Sequence, residues 1–185
     1  MKKAILLILA AVMSLPTGLS AAQRFTVSLA AGVQWSSDSG YRDVYGRSVF
    51  QPKVQAGYSL SQDFYLWVGY GRVGAKGQTV ELQSTAESVQ NNLLLGAGYQ
   101  RALSEKFGVR AELGLADVLY REKALGETVS GSALGFFLSG GLTFSLGGGF
   151  FALAEAGYLT AKKTINSVVV KMGGLEAGLG AGLRF

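Results

Sequence analysis

Leu175-Glu176-Ala177-Gly178-Leu179-Gly180-Ala181-Gly182-Leu183-Arg184-Phe185 is the stretch on which the fold turns. Leu175, Ala177, Leu179, Ala181, Leu183 and Phe185 fall on one face, and Glu176, Gly178, Gly180, Gly182 and Arg184 fall on the other. Strict alternation is the period of an extended strand, whose successive side chains point to opposite faces. The run is longer than the five or six residues usual for a strand in a soluble domain.

Working upstream, the same signature returns after every break. A first strand begins at Phe25, with Phe25, Val27, Leu29, Ala31, Val33 and Trp35 opposite Thr26, Ser28, Ala30, Gly32 and Gln34. Further strands are expected near 50–60, 64–73, 89–100, 107–116, 132–144, 150–159 and 168–185. The third is aromatic on both faces, since Phe64, Leu66, Val68 and Tyr70 alternate with Tyr65 and Trp67, so its facing stays open. Short connections near residues 61, 103 and 147 alternate with longer polar ones at 36–49, 74–88, 117–131 and 160–167.

Eight long strands joined alternately by tight turns and longer polar segments point to an all-β fold, an eight-stranded antiparallel up-and-down transmembrane β-barrel. Hydrocarbon offers no hydrogen-bond partners, so a sheet in a bilayer must close on itself and turn its apolar side chains outward. Aromatic residues at the strand ends (Phe25, Trp35, Tyr58, Phe64, Tyr99, Phe107, Phe144, Tyr158, Phe185) suit the two interfacial girdles. A soluble ligand-binding barrel inverts this order and needs an apolar interior.

The amino terminus reads as an export signal. Met1-Lys2-Lys3 precedes an apolar run over residues 4–15, then Pro16-Thr17-Gly18 and the small-residue site Ser20-Ala21-Ala22 before Gln23. A dozen apolar residues at ~1.5 Å each cover about 18 Å, too little for a ~30 Å hydrocarbon core. The expected division is therefore a cleaved signal peptide at 1–22 and one barrel domain at 23–185. The chain has no cysteine, which excludes disulfides, thiol chemistry and a cysteine-borne lipid anchor. The formal charge of +5 includes Lys2 and Lys3, so the mature chain keeps 15 basic residues against 12 acidic ones. So small an excess, without a basic tract, is no nucleic-acid signature.

The export signal, the alternating strands and the ending Leu179-Gly180-Ala181-Gly182-Leu183-Arg184-Phe185 together resemble the small eight-stranded outer-membrane barrels of the OmpA/OmpX-like superfamily. The resemblance covers the whole mature chain and implies residence in the bacterial outer membrane, reached through the periplasm. It also implies that Leu179, Ala181, Leu183 and Phe185 form the signal read by the barrel-assembly machinery.

A barrel of eight strands is just wide enough for side chains to fill its interior. Lys53, Arg110, Glu112, Glu155, Glu176 and Arg184 fall on the inward face, three of each sign. Unpaired buried charge costs several kcal/mol, so a mutually neutralising network that plugs a polar lumen is expected. A narrow porin-like channel gated by partner exchange in that network is the alternative. Histidine is absent, which removes serine-histidine and histidine-metal chemistry, and no catalytic residue, metal site or cofactor is expected. Gly69-Tyr70-Gly71-Arg72-Val73-Gly74 spells a dinucleotide-binding fingerprint, but its glycines lie inside an alternating strand with no helix after them.

Function is therefore expected at the outer rim. Tyr41, Arg42, Tyr45 and Arg47 mark the first long connection, Arg121 and Lys123 the third, and Lys162 and Lys163 the fourth. Tyrosine and arginine are favoured in binding patches, and cations suit lipopolysaccharide phosphates. The expectation is a non-enzymatic structural or surface-interaction barrel whose loops contact outer-leaflet lipid or a surface or envelope protein. An accessory role in a larger envelope assembly is a further alternative.

Overall fold

The structure, a computed structural model, describes residues 24–79, 84–165 and 168–185. The expected signal peptide lies outside the described residues. Eight strands form one closed antiparallel barrel in chain order. They are β1 (Phe25–Ser36), β2 (Ser48–Ser59), β3 (Phe64–Gln78), β4 (Thr85–Ala102), β5 (Phe107–Ala124), β6 (Glu127–Gly147), β7 (Phe150–Ile165) and β8 (Val168–Arg184). Closure comes from β1 pairing with β8, with Val27 opposite Leu183 and Trp35 opposite Leu175. No strand edge is left to face hydrocarbon, as the desolvation of backbone amides demands.

The alternation sorts the side chains as the bilayer requires. Leu29, Leu95, Leu113, Leu138 and Leu179 project outward and are exposed, while their neighbours in sequence line the interior. At the periplasmic end the outward aromatics touch one another across strands. Phe25 lies 5.1 Å from Tyr58 and 6.0 Å from Phe185, Phe64 lies 5.4 Å from Tyr99, and Phe107 lies 5.0 Å from Phe144, centroid to centroid. This is an interfacial girdle of amphipathic and apolar rings.

The third strand, ambiguous in sequence, is settled by its neighbours. Tyr65 and Trp67 point inward, 8% and 2% exposed, and Phe64, Leu66, Val68 and Tyr70 face out. Tyr65 stands opposite Gly98 and Trp67 opposite Gly96. A Cβ on Gly98 would lie 2.6 Å from the Tyr65 Cε1 and hydroxyl, so glycine is what admits the ring.

The long outer connections are shorter than expected. The span 117–131, read as a loop, is a continuation of β5 and β6 closed by a tight turn in which Leu125 (φ 54) and Gly126 (φ 82) are left-handed. Positive φ at both central residues matches strand twist in a hairpin. Likewise β3 and β4 run on to Gln78 and back to Thr85, and β7 and β8 reach Ile165 and Val168. Beyond the bilayer the outward face meets water, so it turns polar and the contrast between faces is lost, while the ladder of backbone hydrogen bonds continues. Among the described residues, only the first connection carries its own element, α1 (Ser39–Tyr45), whose N-cap Asp38 accepts from the Tyr41 amide at 3.0 Å.

Candidate functional site

The barrel interior is built from rows of paired residues in which glycine alternates with larger side chains. One row runs Tyr65, Gly98, Glu112, Ser139 across β3 to β6. Because Gly98 has no side chain, the Tyr65 hydroxyl reaches past it and donates to Glu112 Oε1 at 2.7 Å. Gln55 Nε2 donates to the same oxygen at 2.6 Å, and Ser139 Oγ donates to Oε2 at 2.9 Å. In the next row Gly141 separates Arg110 from Glu155, and the guanidinium spans it to meet that carboxylate. Glu155 also takes the Lys53 ammonium from across the lumen, and Arg110 Nη1 lies 3.7 Å from Glu112 Oε1.

Lys53, Arg110, Glu112 and Glu155 thus form one buried cluster with two charges of each sign. The expected six-membered network narrows to these four. Glu176 stands apart, bound by Gln34 Nε2 at 3.1 Å and Gln51 Nε2 at 2.9 Å, because the register sets it opposite Gln34. Arg184 lies at the periplasmic mouth, its guanidinium 4.9 Å from the centre of the Phe151 ring, and no ion pair among the described residues includes it. The residues missed in sequence are the neutral donors Gln34, Gln51, Gln55, Tyr65 and Ser139. All but Tyr65 lie on the inward face by parity, the one signal that marks them.

The interior is also less polar than expected. Trp67, Leu94, Val118, Phe137, Leu159 and Met172 form a buried apolar cluster beside the charges. Phe137 joins the two, with its ring 5.6 Å from Trp67 and the Lys53 ammonium 5.2 Å from its centre. Two gaps beside the charged cluster hold only about 10 and about 20 Å³, roughly one water each. A wider recess of about 190 Å³ opens at the periplasmic mouth beside Arg101, Lys106 and Arg184.

At the outer rim, α1 carries Tyr41, Arg42 and Tyr45, with the two tyrosine rings 4.6 Å apart. Arg42 Nη1 donates to the Ser36 carbonyl at 3.2 Å, and Arg47 is exposed just after the helix. Burial pushes the Tyr41 phenol above its ordinary value, and burial with the nearby charge of Glu122 pushes Tyr45 up to about 12. Arg121 and Lys123 project outward from the extended end of β5, rather than from a loop, and Lys162 projects outward from β7. Lys163 has inward parity and is exposed above the barrel. Lys76 of β3 pairs with Glu87 of β4 at 3.1 Å. Outward cations not singled out in sequence are Arg72 and Lys171. Leu179, Ala181, Leu183 and Phe185 all lie on the lipid-facing side of the closing strand pair.

No curated protein sequence matches the chain. Among solved structures it is similar to Neisserial surface protein A (NspA), at 18% identity over 89% of this chain and 98% of that one, with a TM-score of 0.60. It is similar to the outer membrane protein OprG from Pseudomonas aeruginosa at 13% identity over 89% and 96%, TM-score 0.68. It is also similar to Ail, the attachment invasion locus protein of Yersinia pestis, at 15% identity over 88% and 97%, TM-score 0.54. At these identities the likeness is one of fold. The model of the outer membrane protein beta-barrel domain matches residues 5–185, so the chain belongs to that family, and its barrel is a protein of the bacterial outer membrane.

Proposed function

We propose that this barrel is a non-enzymatic surface-interaction protein, with its sheet as anchor and its outer rim as the contact surface for outer-leaflet lipid or a protein partner. The observation that carries the reading is the filling of the lumen. Four charges satisfy one another across it, an apolar cluster packs beside them, and the gaps next to the charges are water-sized. Transport through such an interior would require breaking buried ion pairs, which costs several kcal/mol. The buried carboxylates are engaged by donors, Glu112 by three neutral ones, so they are held as structural acceptors rather than free acids. Cations and aromatic rings are instead displayed at the rim, on α1 and on the outer ends of β5 and β7.

The test begins with the mature barrel in detergent, comparing boiled and unboiled migration on a gel. Single-channel recording of the folded form follows. Heat-modifiable migration without conductance is expected, together with loss of lipid or partner binding when the α1 connection is trimmed. Discrete conductance steps that change in Glu112→Gln or Arg110→Gln would establish the gated channel instead.

A further inference from the structure

Two lysines stand directly opposite one another on the outside of the barrel. Lys162 of β7 pairs in register with Lys171 of β8. The adjoining pair, Ala161 and Met172, is buried in the interior, which sets both lysines on the lipid-facing side, where they are exposed. Opposed residues in an antiparallel pair have Cβ atoms about 5 Å apart, and like charges there destabilise the sheet. Among the described residues no carboxylate lies within ion-pair distance of either ammonium, in contrast with Lys76 and Glu87 on β3 and β4. Asp38, beside β8, has its carboxylate occupied by the backbone amides of Tyr41 and Lys171, at 3.0 and 3.1 Å.

The same strands carry a second feature nearer the bilayer midplane. Ala156 of β7 pairs with Gly140 of β6 and with Ala177 of β8, while Ala154 pairs with Leu179. With Ala31 of β1, the small residues Gly140, Ala154, Ala156 and Ala177 leave a shallow, open depression on the outward surface beside Leu142 and Leu179. Ala156 and Lys162 are separated by six residues on one strand, about 20 Å along it at 3.3 Å per residue. With a strand tilt of about 45° that is roughly 14 Å along the membrane normal, the separation between a headgroup phosphate and the upper part of its acyl chains.

We propose that Lys162 and Lys171 clamp the phosphate of one phosphorylated glycolipid of the outer leaflet, and that an acyl chain of that lipid lies in the depression at Ala156 and Ala177. The phosphate turns the repulsion between the two ammonium groups into joint attraction, and the chain fills a surface that otherwise offers lipid few contacts. This site rests on the surface-interaction reading above and gives it a ligand class.

The experiment is native mass spectrometry of the folded barrel in neutral detergent, titrated with lipid A. The wild type is expected to retain one molecule, and Lys162→Gln/Lys171→Gln to weaken retention at least tenfold. Ala156→Phe/Ala177→Phe, which keeps both lysines, is expected to weaken it as well, and Lys162→Arg/Lys171→Arg to preserve it. Lys106→Gln, in the turn between β4 and β5 at the opposite end of the barrel, leaves it unchanged. Heat-modifiable migration confirms that each variant is folded. Undiminished retention in the lysine-to-glutamine variant, or equal retention of dephosphorylated lipid A, overturns the site. If lipid A is still retained in that variant but lost when the α1 connection is trimmed, the site fails and the surface-interaction reading stands. If the wild type binds no lipid A, this site is overturned, and the conductance recording decides the wider reading.

Discussion

Replacing Glu112 with alanine is the sharpest probe of the interior. Its side chain is essentially inaccessible, accepts hydrogen bonds of 2.6, 2.7 and 2.9 Å from Gln55, Tyr65 and Ser139, and faces Arg110 at 3.7 Å. Glu112→Ala strands three buried donors and leaves Lys53 and Arg110 with only Glu155 for balance. Breaking one partner out of a buried ionic cluster costs about 3–5 kcal/mol. That corresponds to a fall of about two to three and a half orders of magnitude in the folding constant, at about 1.4 kcal/mol per decade. Arg110→Ala in the Glu112→Ala background restores neutrality, so the double variant is expected to be more stable than the sum of the two single losses by about 2 kcal/mol. Urea unfolding in detergent micelles measures each term, with the buried Trp67 as fluorescence reporter. A Glu112→Ala barrel within about 1 kcal/mol of wild type, or strictly additive losses, would refute a coupled cluster.

Gly98→Val places a side chain where the Tyr65 ring passes, and overpacking of about 1–3 kcal/mol is expected in the same assay. On the lipid face, Leu113→Arg should cost about 2–4 kcal/mol in a bilayer, the range for a cation near the midplane, whereas Arg121→Gln at the outer end should cost less than about 1 kcal/mol. Raising the pH tests the docking of α1. The Tyr45 phenol titrates near 10 when free and at about 12 in the barrel, chiefly through burial. The folded state therefore holds the proton more tightly. The contribution of Tyr45 to docking is present below pH 10 and is lost as the pH rises toward about 12. Tyrosinate absorbance should show phenols still neutral just above pH 10, and Tyr45→Phe should remove part of that late step.

The sequence by itself determined the strands, their number and the lipid-facing set of every strand but the third. Each of these follows from a local rule: a sheet in hydrocarbon must show an apolar side chain at every second residue, and Leu179, Ala181, Leu183 and Phe185 state that rule without reference to any distant residue. Tertiary structure decided what local contrast could not express. Both faces of the third strand are aromatic, and only the register opposite Gly96 and Gly98 turns Trp67 and Tyr65 inward. Past the bilayer, outward residues such as Arg121, Lys123 and Ser130 carry no apolar signal, so paired strand and loop look alike in sequence. Charge partners were out of reach for the same reason. Parity placed Lys53, Arg110, Glu112, Glu155, Glu176 and Arg184 inside. Which of them meet depends on the register between neighbouring strands, and on barrel closure, which lets Lys53 reach Glu155 across the lumen while leaving Arg184 at the mouth against Phe151.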